Sequence, residues 1–212
     1  MSVENTFSIC SISKLFTSIA IMKLIEEKKI ALNDPINKLL PWFDLKQQFE
    51  NSPPLTIKSI LTHSSGLPRE SNHPYWSWPD FPFPSKEDVV KELKNQEMLY
   101  PSSKYYQYSN LGLSLLGYVV EEVSGESFED YIDKNILEPL KMKDTKTYMS
   151  KEDYGEVLSI GYSSIKRDRN RDKVNFFNAD GIAAAAGFTS NVEDLAKFAA
   201  WQMKLLNSLE KN

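Results

Sequence analysis

The chain has 212 residues, 41% of them hydrophobic and 25% charged, enough to bury one sizeable core. A net charge of -4 gives no basic footprint for nucleic acid, and two histidines and one cysteine supply neither a histidine-rich metal site nor an internal disulfide. No apolar run reaches the roughly 18 residues of a membrane span, no signal-peptide pattern opens the chain, and the compartment is left unassigned.

Residues 1–10 read as extended, with Val3, Phe7 and Ile9 strand-like. A helix starts near Ser11, a residue type suited to capping, and runs to about Lys28-Lys29. Ile12, Leu15, Phe16, Ile19, Met22 and Ile25 cover more than one of its faces, so it belongs inside a fold and needs cover on both sides. Asn33-Asp34-Pro35 restarts a short helix with proline at the first helical position, and Thr56 caps another over Ile57–Thr62. Residues 74–84 hold Tyr75, Trp76, Trp78, Phe81 and Phe83 among four prolines, which excludes regular helix or central strand. This loop is either a lid over a groove or a locally packed aromatic cluster.

Ser85 caps a helix to about Asn95, with Asp88 three residues on. Ser109 or Asn110 starts the next, with Leu113, Leu116, Gly117, Val120 and Val123 at helical spacing and Ser124-Gly125 as its end. Ser127 opens a further helix to about Ile136. Residues 158–162 and 174–177 read as short strands flanking a charged, solvated turn, Lys166–Lys173. The small-residue run Gly181–Gly187 reads as a tight turn where backbones approach closely. Ser190-Asn191 caps a last helix with Leu195, Phe198, Ala199, Met203 and Leu206 on one stripe. No repeat or linker divides the chain, so residues 1–212 are expected to form a single domain.

Ser11 and Lys14 are three apart, so on one helix they share a face and Nζ can reach Oγ. A serine needs a base to become a nucleophile, and a lysine serves as that base only if burial or a positive helix end lowers its pKa. Backbone N–H groups at the same helix start can stabilise an oxyanion. The bland reading is a capping serine beside an exposed lysine. Tyr108-Ser109-Asn110 offers a tyrosine oxygen to relay a proton and an asparagine to bond the lysine and a substrate amide. Its bland reading is a buried aromatic and a helix cap.

The two patterns together resemble the serine β-lactamase and penicillin-binding protein superfamily, in the branch of class C β-lactamases, DD-peptidases and esterases. Phe7–Asp34 resembles the nucleophile helix and its exit, Leu61–Pro68 (LTHSSGLP) a recurrent turn, and Tyr105–Gly125 the second-motif helix. Ile136–Thr145 and Gly187–Phe198 are two further phrases in the family's order. The resemblance implies an α+β, β-lactamase/transpeptidase-like fold, of which this chain is mainly the helical lobe with few short strands. It implies an acyl-enzyme on Ser11, with Lys14 as general base, Tyr108 as proton relay and Asn110 as substrate-binding positioner. The implied partners are a β-lactam, a D-amino peptide or an ester, with no metal and no organic cofactor.

No Lys-Thr-Gly or His-x-Gly follows Asn110, so the third family signature is missing and the chain is expected to be cut at both ends. The expected consequences are poor or absent turnover and self-association through apolar surface that the missing sheet leaves open. Alternatives from other classes are a binding module for peptides or amides and an inactive fragment. A Ser-His-Asp site at His63 lacks a nucleophile elbow, and nothing marks Cys10 as an activated thiol.

Overall fold

Two strands, Phe7–Ser8 (β1) and Thr189–Ser190 (β2), pair antiparallel with Phe7 opposite Ser190, and so join the segment before the first helix to the one before the last in the computed structural model, which describes residues 2–209. The other regular elements are helices, joined by long loops: Ser13–Glu26 (α1), Ile36–Leu39 (α2), Ile57–Leu61 (α3), Lys86–Leu93 (α4), Asn110–Ser124 (α5), Phe128–Ile132 (α6), Glu138–Leu140 (α7), Ala183–Ala186 (α8) and Val192–Leu209 (α9). A tighter turn, Cys10–Ile12, leads into α1, and a wider π turn, Asp133–Leu137, joins α6 to α7.

α5 is the centre of the lobe. Every residue from Asn110 to Val120 is buried, because α1 and α8 flank it and α3 and α6 also touch it. Its start is capped by Ser109, whose Oγ accepts the Gly112 N–H, and its end by Gly125 in the left-handed conformation at φ +73°. The closest approach is at Gly117, where a Cβ would stand 2.4 Å from the Ala184 Cβ. Only glycine lets the α8 backbone come this near.

Several expectations are refined. Pro35 precedes α2 as its cap residue instead of occupying the first helical position. Residues 158–162 and 174–177 form no strands; a single bridge, Tyr162–Lys173, and bonds such as Val174 N to Gly161 O hold a hairpin around the exposed charged turn. The alanine run is a helical turn, not a plain loop, although the close backbone approach expected there is real. On α9 only the first half of the stripe is used. Phe198 packs on Phe16 with ring centroids 4.4 Å apart, whereas Ala199, Met203 and Leu206 are exposed.

Two family phrases dock on each other through one buried carboxylate. Asp194 Oδ2 accepts from the Asp144 N–H at 2.9 Å and the Thr145 hydroxyl at 3.0 Å, and its other oxygen accepts from Lys197 at 2.6 Å. Asn191 caps α9 by accepting the Asp194 N–H and donates to Asp144.

α1 buries Phe16, Ala20, Ile21 and Leu24 toward the core, but Ile12, Leu15 and Met22 lie exposed on the opposite face, Leu15 by 52%. Their spacing makes one apolar stripe along the helix. Self-association of the chain is therefore expected to rise with concentration in analytical ultracentrifugation. The double variant Leu15→Lys, Met22→Glu should suppress it without changing the helical circular dichroism; association unaffected by these changes would place the contact elsewhere. In the interior, Gly117→Ala should cost about 1–3 kcal/mol by overpacking against Ala184, read by urea unfolding.

Candidate active site

Ser11 lies on the tight turn before α1, exposed to solvent. Its oxygen does not cap the helix. It accepts a hydrogen bond from the Tyr108 hydroxyl at 2.8 Å and one from Lys14 Nζ at 3.3 Å. The turn is held by the neighbouring serine instead: Ser13 Oγ donates to Cys10 O at 2.6 Å and accepts the Phe188 N–H at 3.1 Å. Cys10 has φ +43°, a left-handed backbone that glycine adopts more easily, and its sulfur rests 3.3 Å from Ser8 Oγ. The sharp bend there presents the Ser11 side chain.

Lys14 is 6% exposed, which removes the exposed-lysine alternative. Its second bond goes to Ala185 O at 2.8 Å, and one turn on, Thr17 donates to Ala184 O at 2.6 Å. These two bonds fasten α1 to α8. Burial lowers the Lys14 pKa from its ordinary 10.5. Contact with Tyr108 and the charge of Glu70 oppose the shift, and Arg69 adds to it. The amine also sits 4.7 Å from the centre of the Tyr108 ring.

Tyr108 is placed by the turn after α3. The Gln107 N–H donates to His63 O at 2.6 Å, the Ser109 N–H to His63 Nδ1 at 3.2 Å, and the Asn110 N–H to Arg69 O at 2.7 Å. The His63 ring lies against Tyr108 with centroids 4.4 Å apart. Gly66 permits the docking: at φ +79° it lets Tyr100 O approach where a Cβ would stand 2.1 Å away. His63 is thus no member of a Ser-His-Asp set; it accepts from the backbone and stacks on the tyrosine.

Asn110 departs from expectation. Its Nδ2 donates to Glu70 Oε1 at 2.7 Å, its Oδ1 is buried without a partner, and the bonds of Lys14 go to Ser11 and Ala185 instead. Glu70 and Arg69 were not singled out in the sequence. Their one signal there was adjacency to the LTHSSGLP phrase. Of the two alternatives for the aromatic loop, local packing is what the structure shows: Tyr75, Trp76, Phe81 and Phe83 pack on one another and on Phe177, and Tyr75 and Trp76 also bond Glu70. Among the described residues no cluster of three or more His, Cys, Asp or Glu could hold a metal ion, and no helix is long and apolar enough to cross a membrane.

The family model described as Beta-lactamase matches residues 1–212. The chain belongs to the beta-lactamase family. It is 30% identical over 162 residues to Beta-lactamase-like protein 2 of Dictyostelium discoideum, covering 76% of this chain and 29% of that protein. It is 32% identical over 158 residues to the D-alanyl-D-alanine-carboxypeptidase/endopeptidase AmpH of Escherichia coli, covering 74% and 40%. The octameric penicillin-binding protein homologue from Pyrococcus abyssi superposes with a TM-score of 0.77 at 31% identity, over 93% of this chain and 45% of that one. The chain therefore spans under half the length of these relatives, and its fold is the helical lobe of the serine β-lactamase and penicillin-binding protein superfamily.

The half-buried His63 yields a pH-dependent stability. Burial and the Lys14 charge hold its pKa below 6.5, so the unfolded chain takes up this proton first as pH falls. The melting temperature should drop as pH is lowered from 6.5 through the depressed native value. His63→Asn tolerates the φ of +52° at this position and should flatten the slope. An unchanged slope over about pH 5 to 8 would contradict this.

Proposed function

We propose that this chain carries the nucleophile and the proton-transfer groups of a serine hydrolase of the β-lactamase, DD-peptidase and esterase type, working through an acyl-enzyme on Ser11. The supporting observation is the meeting of a tyrosine hydroxyl and a buried amine on one exposed serine oxygen. As Oγ attacks the carbonyl carbon of an amide or ester, its proton passes to Lys14. Tyr108 relays it by taking the serine proton while giving up its own. The reverse path then delivers the proton to the leaving nitrogen or oxygen.

Burial of Lys14 favours the neutral form that this role requires. Of the first amides of the turn, those of Ile12 and Ser13 are engaged by Ile9 O and by Cys10 O and Ser11 O. The Ser11 amide is the proposed oxyanion donor, and Asn110 the polar positioner beside the reacting groups. The name of the Escherichia coli relative places D-alanyl-D-alanine peptides within its activity. β-Lactams, D-amino peptides and simple esters are accordingly the proposed substrate classes here.

Phosphonylation, in which Ser11 Oγ attacks phosphorus and displaces fluoride, needs only the nucleophile and its base and is the informative test for a chain of this length. Exposure to a fluorophosphonate probe should give one adduct by intact mass, mapped to Ser11 and lost in Ser11→Ala. Lys14→Met should slow it by roughly 10²–10⁴-fold. The wild-type rate should rise with pH through the depressed Lys14 pKa and level off before the ordinary lysine range near 10.5. Absence of an adduct, or one that survives Ser11→Ala, would refute the reading.

A further inference from the structure

Glu70 gathers more side chains than any group yet assigned a role at the site. Its Oε1 accepts from Asn110 Nδ2 at 2.7 Å, Trp76 Nε1 at 3.2 Å and Arg69 Nε at 3.3 Å, and its Oε2 accepts from the Tyr75 hydroxyl. Its backbone carbonyl accepts from Gln96 Nε2 at 3.1 Å. Arg69, pinned on this carboxylate, lies 5.0 Å over the Tyr108 ring, the same ring that Lys14 approaches. One carboxylate therefore joins the aromatic loop, the turn after α3 and the start of α5.

We propose that Glu70 is a positioning residue of this site: its carboxylate fixes the side-chain amide of Asn110 beside the groups that act on Ser11. The chemistry of the pair determines the orientation. An ionised carboxylate only accepts hydrogen bonds, so Asn110 must present its NH₂ to Glu70 and turn its Oδ1 the other way. That Oδ1 is buried and unpartnered, a state that costs free energy unless the orientation is enforced by a strong bond. The aromatic loop holds the carboxylate in place: Tyr75 is fully buried and Trp76 caps it at 43% exposure.

Arg69, held by the same carboxylate, and Lys14 both lie at the Tyr108 ring, 5.0 and 4.7 Å from its centre. The Glu70 charge opposes the lowering of the Lys14 pKa that burial causes, in keeping with this placement beside the reacting groups.

The inference rests on the assignment of Ser11 and Lys14, and the experiment separates the two. The Asn110 side-chain NH₂ resonances are followed by ¹⁵N NMR, which needs no turnover, and Ser11 phosphonylation by a neutral fluorophosphonate is followed in parallel. Glu70→Asp keeps the charge but shortens the reach, and Glu70→Gln keeps the reach but removes the carboxylate. Both should shift the Asn110 NH₂ resonances with the fold retained, and Glu70→Asp should lower the phosphonylation rate about tenfold or more. Asn110 resonances that are the same in wild type, Glu70→Asp and Glu70→Gln would overturn the proposal even if Ser11 is phosphonylated. If Glu70→Gln does not fold, unchanged Asn110 resonances in Glu70→Asp would overturn it as well. Failure of wild-type phosphonylation with Asn110 resonances that respond to Glu70 would instead strike the Ser11 assignment alone.

Discussion

A lysine amine stripped of most of its water is the constraint on which the rest of this structure depends. Burying an unpaired ammonium costs several kcal/mol, and a protein meets that cost by partnering the group or lowering its pKa. Both happen at Lys14. Its amine donates to Ala185 O and to Ser11 Oγ, and burial shifts it toward neutrality. The carbonyl is available only because α8 lies against α1, and α8 reaches that place because Gly117 of α5 has no side chain to hold Ala184 away. A packing feature in the core thus sets the geometry of a buried amine beneath the exposed Ser11.

The second half of the site is built the same way, by a turn distant in sequence. The segment from His63 to Glu70 supplies backbone carbonyls, an imidazole and a carboxylate that together fix Tyr108, Ser109 and Asn110. In this chain the LTHSSGLP segment and the tyrosine motif satisfy each other's polar groups. The same logic joins the phrases around Thr145 and Asp194, where a fully buried carboxylate binds two loops and a helix start.

Among the described residues, the outer face of α1 has no such partner. Ile12, Leu15 and Met22 continue the apolar character of the helix onto the surface, opposite the face that packs on α5 and α8. In sequence the helix is apolar nearly all round, and the structure divides that surface into a covered half and an exposed half. The neighbouring Ser11 is reached from the exposed side, so the chemistry and the apolar stripe share one face of the lobe.

Local signals in the sequence determined the helix starts at Thr56, Ser85, Ser109, Ser127 and Asn191, because a capping side chain acts within three residues. They also determined that Ser11 and Lys14 share one face, since helical spacing alone brings them together. The family phrases placed Tyr108 and Asn110 in the same site. Only the tertiary structure decided that Asn110 turns to Glu70 instead of Lys14, that Ala185 accepts from the amine and that His63 stacks on Tyr108. These partners lie 40 to 171 residues apart or meet through ring faces. Such contacts follow from how helices pack, and packing leaves no periodic trace at the residues it joins.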